Sequence, residues 1–356
     1  MSKNGTATMR DVARLAGVSI ATVSAVINST AVVSPQRSRK VREAMTALDY
    51  HADQVARSLK TGRTNVIGMV IPDVTNAFYP DVISGAEEVA TRAGYSLILC
   101  NANEDPAQER RQLSTLFSRR VDGVLIACSD SSTAYDSLMR RRFPIVFFDR
   151  IPRGFRGAAV ATDNFAAGYQ ATRHLIELGH ERIAIIAGNL DLSTHACRSE
   201  GFRKAMQEAG LPIHDEYFRT GTLRIDSGYQ FGLELLGLAV RPTAMFCSNN
   251  KMLLGLMRAI GELKVQCPGD VSIVGVDDFA WAENFNPKLT TIAQPTREIG
   301  RQAMELLLEQ IGAGHENLVA REQRQVILAP ELRIRNSTAP PAPAHKAERI
   351  SSGNAL

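Results

Sequence analysis

The 356-residue sequence has little cysteine, a single tryptophan and only 6% aromatic residues. Its five cysteines, Cys100, Cys128, Cys197, Cys247 and Cys267, are odd in number and scattered, with no CxxC and no Cys/His spacing. That pattern excludes a disulfide framework and a zinc site and suits small core residues. No apolar run reaches the roughly eighteen residues of a membrane span. The start, MSKNGTATMRDVARLAG, lacks the apolar stretch and cleavage site of a secretory leader, so a cytoplasmic protein is expected. No GxGxxG follows the first apolar strand pattern, and no GxxxxGKS/T, GxSxG or HExxH occurs. Neither a nucleotide cofactor nor metal-assisted hydrolysis is implied, and the expectation is a non-enzyme with no cofactor and no metal.

What is present is enough apolar material, 44% of residues, to fill two or three cores. The net charge of +4 is unevenly placed. Residues 1–63 carry ten basic side chains against four acidic, whereas the remainder has 31 against 33. A small basic module on a slightly acidic body is the footprint of a chain that meets phosphate at one end only.

Within the module, Thr8 and Asp11 form a capping-box pattern, and Val12, Ala13, Leu15 and Ala16 give one apolar side to a short helix that Gly17 ends. Ser19 caps a second helix with Val23, Val26 and Ile27 inward, stopping near Asn28. Ser34 and Pro35 open a third, in which Val41, Ala44, Met45 and Leu48 face inward and Arg37, Arg39, Lys40 and Arg42 outward. Two short helices joined by a glycine turn are a helix-turn-helix, whose second helix lies in the major groove. The strings TMRDVARLAGVSIATVSAVIN, VSPQRSRKVREAMTALDY and VARSLKTGRT resemble the DNA-binding head and hinge of the lactose-repressor (LacI/GalR) family of bacterial transcription regulators. The resemblance implies recognition-helix contacts at Ser19, Ile20, Ala21, Thr22, Ser24, Ala25 and Asn28, with Ile20, Ala21 and Ala25 reading bases. Ser19, Thr22, Ser24, Asn28 and Ser34 have the hydroxyls and amide to bind phosphate. Ala25 departs from relatives that carry a long or polar side chain there. The base-reading face is therefore apolar and suited to thymine methyl groups.

Residues 51–63 are polar, with Val55, Ala56 and Leu59 on one side of two possible helical turns. The resemblance makes this a hinge that orders on DNA and inserts Leu59 into the minor groove, a wedge that costs a few kcal/mol of unstacking. Beyond it, the apolar runs VIGMVI, SLILCN, VDGVLIAC and PIVFFD alternate with helical patterns at 81–93 and 108–119. RIAIIAG, TAMFCSN and VSIVGVD follow, with helical patterns at 196–209, 227–238 and 251–263. Such alternation predicts two subdomains with parallel sheets and a ligand at the carboxyl ends of the strands. Those ends carry Asp73, Asn76, Asn101, Asn103, Asp149, Asn249 and Asp277, any one of which is as readily a local turn residue.

The resemblance continues through FFDR, TDN, ELGHERIAIIAG, CRSEGFRKAM, FCSNN, VSIVGVDD and LTTIAQP to Arg335. It implies an all-α helix-turn-helix head and an α/β body like the periplasmic binding proteins. Residues 1–50 form the DNA-binding domain and 51–63 the hinge. One effector subdomain comprises 64–163 with 294–322, the other 164–293 with 323–335. Asp149, Arg198, Asn249 and Asp277 are the implied effector set, with Phe78 and Gln294 lining the cleft. Leu223 stands where many members stack an aromatic, and Asn250 replaces a frequent Asp. A sugar, sugar acid or sugar phosphate fits these groups. Two alternatives stay open: an effector-independent regulator, and a soluble solute-binding protein of the same two-subdomain form. The implied partners are double-stranded operator DNA, which makes the protein nucleoid-associated, a carbohydrate-like effector and a second copy in a homodimer. Helix 296–311 is expected on the first subdomain and a strand 325–333 on the second. The tail 336–356, rich in Pro, Ala and Ser, is expected to be disordered. Ala25→Arg is predicted to change the preferred operator sequence without abolishing binding, and selection of sites from random DNA checks this.

Overall fold

The computed structural model describes residues 7–28, 31–50, 62–130, 135, 143–284, 286–313 and 324–342. It divides into two compact units, residues 1–64 and 65–356. The first contains α1 (Met9–Ala16), α2 (Ile20–Asn28) and α3 (Pro35–Ala47). Thr8 and Asp11 cap α1 reciprocally, and Gly17 ends it in the left-handed region at φ 63°, where a Cβ would be strained. Val12, Ala13, Ala16, Val23, Val41 and Ala44 make the core, with Val26, Ile27, Met45 and Leu48 against it. The proposed hinge residues Val55, Ala56 and Leu59 lie outside the described residues.

The second unit holds two six-stranded sheets in the orders β11-β5-β4-β3-β1-β2 and β12-β10-β9-β8-β6-β7. The first comprises β1 (Val66–Ile71), β2 (Ser96–Asn101), β3 (Gly123–Ile126), β4 (Ile145–Phe148), β5 (Ala159–Thr162) and β11 (Gln325–Leu328), all parallel. The second comprises β6 (Ile183–Ile186), β7 (Phe218–Arg219), β8 (Ala244–Cys247), β9 (Ser272–Val276), β10 (Thr290–Ala293) and β12 (Glu331–Arg333). Only β12 runs antiparallel, against β10. β3 to β6 and β8 to β10 are buried along their whole length, which is why they read as unbroken apolar runs. Both sheets reverse strand order beside their first strand, at β1/β3 and β6/β8, and this opens a crevice at the carboxyl ends.

Helices cover the sheets as reciprocal pairs: α4 (Tyr79–Arg92) with α10 (Thr296–Ala313), α6 (Asn164–Glu177) with α7 (Ser193–Glu208), and α8 (Ile225–Leu236) with α9 (Asn250–Glu262). α5 (Pro106–Ser118) lies beside β1 and β2. In each pair a glycine from each helix sits on the partner's backbone. A Cβ added at Gly85, Gly300, Gly168, Gly201, Gly228 or Gly255 would lie 1.9–2.2 Å from a main-chain oxygen. Only glycine permits that approach.

Several expectations need correction. β5, β7, β10 and α6 were not among the anticipated elements; the three strands are two to four residues long, too short a run to show a period. The anticipated strand 325–333 is two strands on different sheets. β11 completes the first sheet, and the chain then crosses through Ala329 and Pro330 to β12 in the second. It also crosses at Asp163 and at Gln294–Pro295, with the Asp163 amide donating to the Leu328 carbonyl (2.8 Å). α10 packs Ile299, Ala303, Met304 and Leu307 into the core of the first subdomain.

The tail is also corrected over residues 336–342, which lie along the second sheet. Ser337 is fully buried; its Oγ donates to the Ile273 carbonyl (2.7 Å) and accepts from the Thr290 amide (2.8 Å). The Ile273 amide donates to the Ser337 carbonyl (2.8 Å), and the Ala339 amide to Ser272 Oγ (3.0 Å). His180 Nε2 meets the Ala339 carbonyl (2.9 Å) and His174 Nε2 meets Thr338 Oγ1 (2.9 Å). Composition suggested disorder because this segment has no apolar stripe. It is held by main-chain and hydroxyl hydrogen bonds, which composition does not register. A chain ending at Arg335 is predicted to unfold about 5 °C or more below the full chain in calorimetry, since these buried donors and acceptors lose their partners.

Candidate functional site

In the head, the α2 N-terminus is built by Ser19, whose Oγ accepts from the Thr22 amide (3.1 Å) and meets Thr22 Oγ1 (2.9 Å). This cap fixes both hydroxyls at the helix end. Ile20 is 45% exposed and Ala21 is exposed, while Ser24 and Ala25 are half-buried. The outer face of α2 therefore carries a large apolar group beside small ones. Ser34 begins α3 without a side-chain capping bond, and Arg37, Arg39, Lys40 and Arg42 are exposed along it. A helix N-terminus with exposed cations nearby suits phosphate.

In the body, the groups at the strand ends form a buried polar cluster. Asp149 follows β4 at φ 57° and accepts from the Tyr79 hydroxyl (2.9 Å). Phe78 packs edge-on against Tyr79, at 5.1 Å between centroids. Arg198, 4% exposed, is held at two points: Nε donates to Asn164 Oδ1 (2.8 Å) and Nη1 to the Ser248 carbonyl (2.7 Å). Asp277 follows β9 at φ 75° and accepts from Gln294 Nε2 (2.5 Å) and Asn250 Nδ2 (2.8 Å).

Burial raises Asp149 above the usual carboxylate range and pushes Asp277 up to about 6, with the Arg198 guanidinium opposing in both cases. Burial also lowers Arg198, and the two aspartates resist that. For Asp149 the stronger opposing charge is the buried Arg150 guanidinium, 4.0 Å away. Burial holds His195 well below the ordinary imidazole range, with the Arg198 charge adding to the effect. Ser248 Oγ donates to the Ala187 carbonyl (2.7 Å), so His195 Nδ1 is the donor in its 3.1 Å contact with that oxygen.

Of the anticipated effector set, Asp149, Arg198, Asp277 and Gln294 come together, with Phe78 behind Asp149. Asn249 is different: its Oδ1 caps α9, accepting from the amides of Lys251 (3.0 Å) and Met252 (3.2 Å), which leaves only its Nδ2 as a donor. Leu223 lines an adjoining cleft of about 820 Å³ between Asp73, Thr75, Asn103 and Glu104 on one side and Asn189, Leu192, Arg224 and Lys251 on the other. That volume suits a small polar molecule.

Sequence reasoning missed several members. Tyr79 positions Asp149, and Arg150, 3% exposed, makes a bidentate pair with Glu104 (2.6 and 2.8 Å) beneath the cleft. Asn250 and Lys251 reach across to the first subdomain. Asn250 Nδ2 donates to Asn76 Oδ1 (2.7 Å), and Lys251 Nζ to Asp73 Oδ2 (2.6 Å) and Thr75 Oγ1 (3.0 Å). Asp73 is therefore more than the turn residue it resembled. The Asn-Lys pair opening a helix straight after a strand was the available sign. Asn101 and Asn103 do bond locally, Asn101 Nδ2 donating to Asn103 Oδ1 (2.6 Å).

The raised Asp277 has a consequence for stability. Its folded pKa of about 6 exceeds the ordinary carboxylate value of 3.8, so between the two the native protein holds a proton that the unfolded chain has released. This contribution is complete below about pH 4 and is lost as pH rises through about 6. Asp277→Asn is predicted to flatten stability across that window, as read from denaturant midpoints.

Residues 8–53 match the family model "Bacterial regulatory proteins, lacI family", and residues 64–335 match "Periplasmic binding proteins and sugar binding domain of LacI family". The chain is 40% identical over 333 residues to the HTH-type transcriptional repressor PurR of Vibrio parahaemolyticus, covering 93% of this chain and 98% of that one. It is 40% identical over 307 residues to the ribose operon repressor of Escherichia coli, covering 86% and 93%. Its structure is similar to the lac repressor dimer bound to operator and the anti-inducer ONPF, with TM-score 0.81, 26% identity, and 94% and 99% coverage. No helix among the described residues is long and apolar enough to cross a membrane. With both family models matched along nearly its whole length, the chain belongs to the LacI family of bacterial DNA-binding repressors with an effector-binding body.

Proposed function

We propose that the body binds a hydroxyl-rich, uncharged sugar between its two sheets, and that this binding sets the affinity of the head for operator DNA. The observation that carries the reading is the buried trio of Asp149, Arg198 and Asp277. Arg150 and Arg198 face Asp149, Asp277 and Glu104, so carboxylates outnumber guanidinium groups and the cluster has no spare positive charge. Sugar hydroxyls donate to such acceptors, and Arg198 offers oriented donors in return. A sugar acid or phosphate would bring a further anion to two buried carboxylates, which disfavours both. Leu223 offers no aromatic face, which disfavours a stacked nucleobase. The ribose operon repressor among the relatives makes D-ribose the first sugar to try.

The DNA reading rests on the exposed α2 face and the basic α3 of the head. Ser19, Thr22, Ser24, Asn28 and Ser34 serve phosphates, while Ile20, Ala21 and Ala25 meet thymine methyl groups. Val55, Ala56 and Leu59 supply the hinge. A head of this kind reads half-sites in pairs, so the working form is a homodimer on a pseudo-palindrome, as in the similar lac repressor dimer.

A thermal-shift panel of D-ribose, other sugars, sugar acids and nucleobases, repeated on operator binding, tests the ligand class and the sign of coupling together. No stabilisation by any sugar overturns the reading. Arg198→Ala is predicted to weaken sugar binding about 100-fold and to remove the effector response while operator affinity stays intact. An operator titration by fluorescence anisotropy, with and without D-ribose, checks it, and a retained response would reassign Arg198.

A further inference from the structure

The start of α9 carries two side chains that the family reading leaves without a role. Asn250 is 2% exposed and its amide nitrogen makes two bonds, to Asp277 Oδ2 in its own subdomain (2.8 Å) and to Asn76 Oδ1 in the other (2.7 Å). Its orientation is fixed by chemistry. Asn76 Oδ1 also accepts from the Phe78 amide (2.9 Å) and is therefore an oxygen, as are both atoms of the Asp277 carboxylate, so Asn250 must present nitrogen to them. The carbonyl oxygen Oδ1 is left pointing elsewhere, buried and without a partner among the described residues. Gln294 is in the same position. Its Nε2 donates to Asp277 Oδ1 (2.5 Å), and its Oε1 is buried without a partner.

Asp277 thus already accepts from one protein amide on each oxygen and orients two carboxamides, whose carbonyls are the unmatched acceptors of the site. An unpaired buried carbonyl is costly, and a donor that reached it would recover that cost. The next residue, Lys251, straps the same helix end to Asp73 and Thr75 of the first subdomain.

We propose that Asn250 is a specificity and positioning residue of the effector site. Its carbonyl accepts a hydrogen bond from the ligand, its amide joins the ligand-facing groups of the two subdomains, and Lys251 holds that bridge shut. This rests on the sugar reading above and adds a consequence for regulation. The bonds of Asn250 and Lys251 join the two subdomains across the cleft, and a ligand that pairs with the Asn250 carbonyl strengthens that bridge. An Asp at this position would set a second carboxylate against Asp277 Oδ2 and Asn76 Oδ1, so the Asn is what makes the bridge possible.

The test uses the full chain in two arms. Small-angle scattering of the ligand-free protein compares wild type with Asn250→Ala, Asn250→Asp and Lys251→Met. All three variants are expected to show a larger radius of gyration, and unchanged profiles in all three overturn the bridge. Lys251→Met leaves the buried cluster untouched, so an opening there does not reflect failure to fold. Calorimetric titration with D-ribose, and with any sugar of the panel that stabilises wild type, forms the second arm. Asn250→Ala is expected to bind about 10-fold or more weakly than wild type. Equal affinity overturns the acceptor role. A wild type that binds no sugar overturns the sugar reading instead, and the scattering arm still decides the bridge.

Discussion

The body of this protein is organised around the removal of two guanidinium groups, Arg150 and Arg198, and two carboxylates from water. Arg198, Asp149 and Asp277 are each at least nine-tenths buried, and groups of that kind are tolerated only when every lobe of charge is matched. The surrounding architecture supplies the matching. Parallel strands end at one level, so Asp149 and Asp277 emerge beside one another from different sheets. Their left-handed backbone turns aim the side chains into the crevice. Asn164 and the Ser248 carbonyl hold Arg198 at two points. The cluster is tense in an electrostatic sense: its acids sit above their ordinary range and Arg198 below. A neutral hydroxylated ligand supplies dipoles to each without adding net charge.

Much of this was legible in the chain. The head could be read residue by residue, because capping boxes, glycine turns and helical periodicity are local properties, and the charge imbalance of residues 1–63 set the sign of the partner. The long buried strands showed as apolar runs, and the doubly wound topology followed from their alternation with helices. Asp149, Arg198, Asp277 and Gln294 were found through family resemblance; no period or spacing singles them out.

What stayed hidden depends on contacts between distant parts of the chain. The cross-cleft reach of Asn250 and Lys251 follows from where α9 begins relative to a loop more than 170 residues earlier. Arg150 reads as the end of a strand motif until Glu104 is seen beside it. The tail segment 336–342 was misjudged for a related reason: its partners Ser272, Ile273 and Thr290 are hydroxyls and main-chain groups at the starts of two interior strands, which sequence cannot place. The glycines were equally silent. Gly168 looks like a weak point in a helix, yet it brings α6 against the carbonyl of Arg198 itself, so the missing methyl group sets where the longest side chain of the site begins.

The triple crossing between the sheets has a mechanical meaning. The chain passes from one subdomain to the other at Asp163, at Gln294–Pro295 and at Ala329–Pro330, and the first and third of these are tied by the bond from Asp163 to Leu328. One connecting strand would act as a swivel, free to turn about any axis. Three short ones side by side act as a flexure, compliant to folding in one plane and stiff to twist and shear. The glycine contacts stiffen each subdomain from within, so compliance is concentrated where the three strands of chain cross. Chemistry in the crevice is then best reported as a change in the angle between the two sheets.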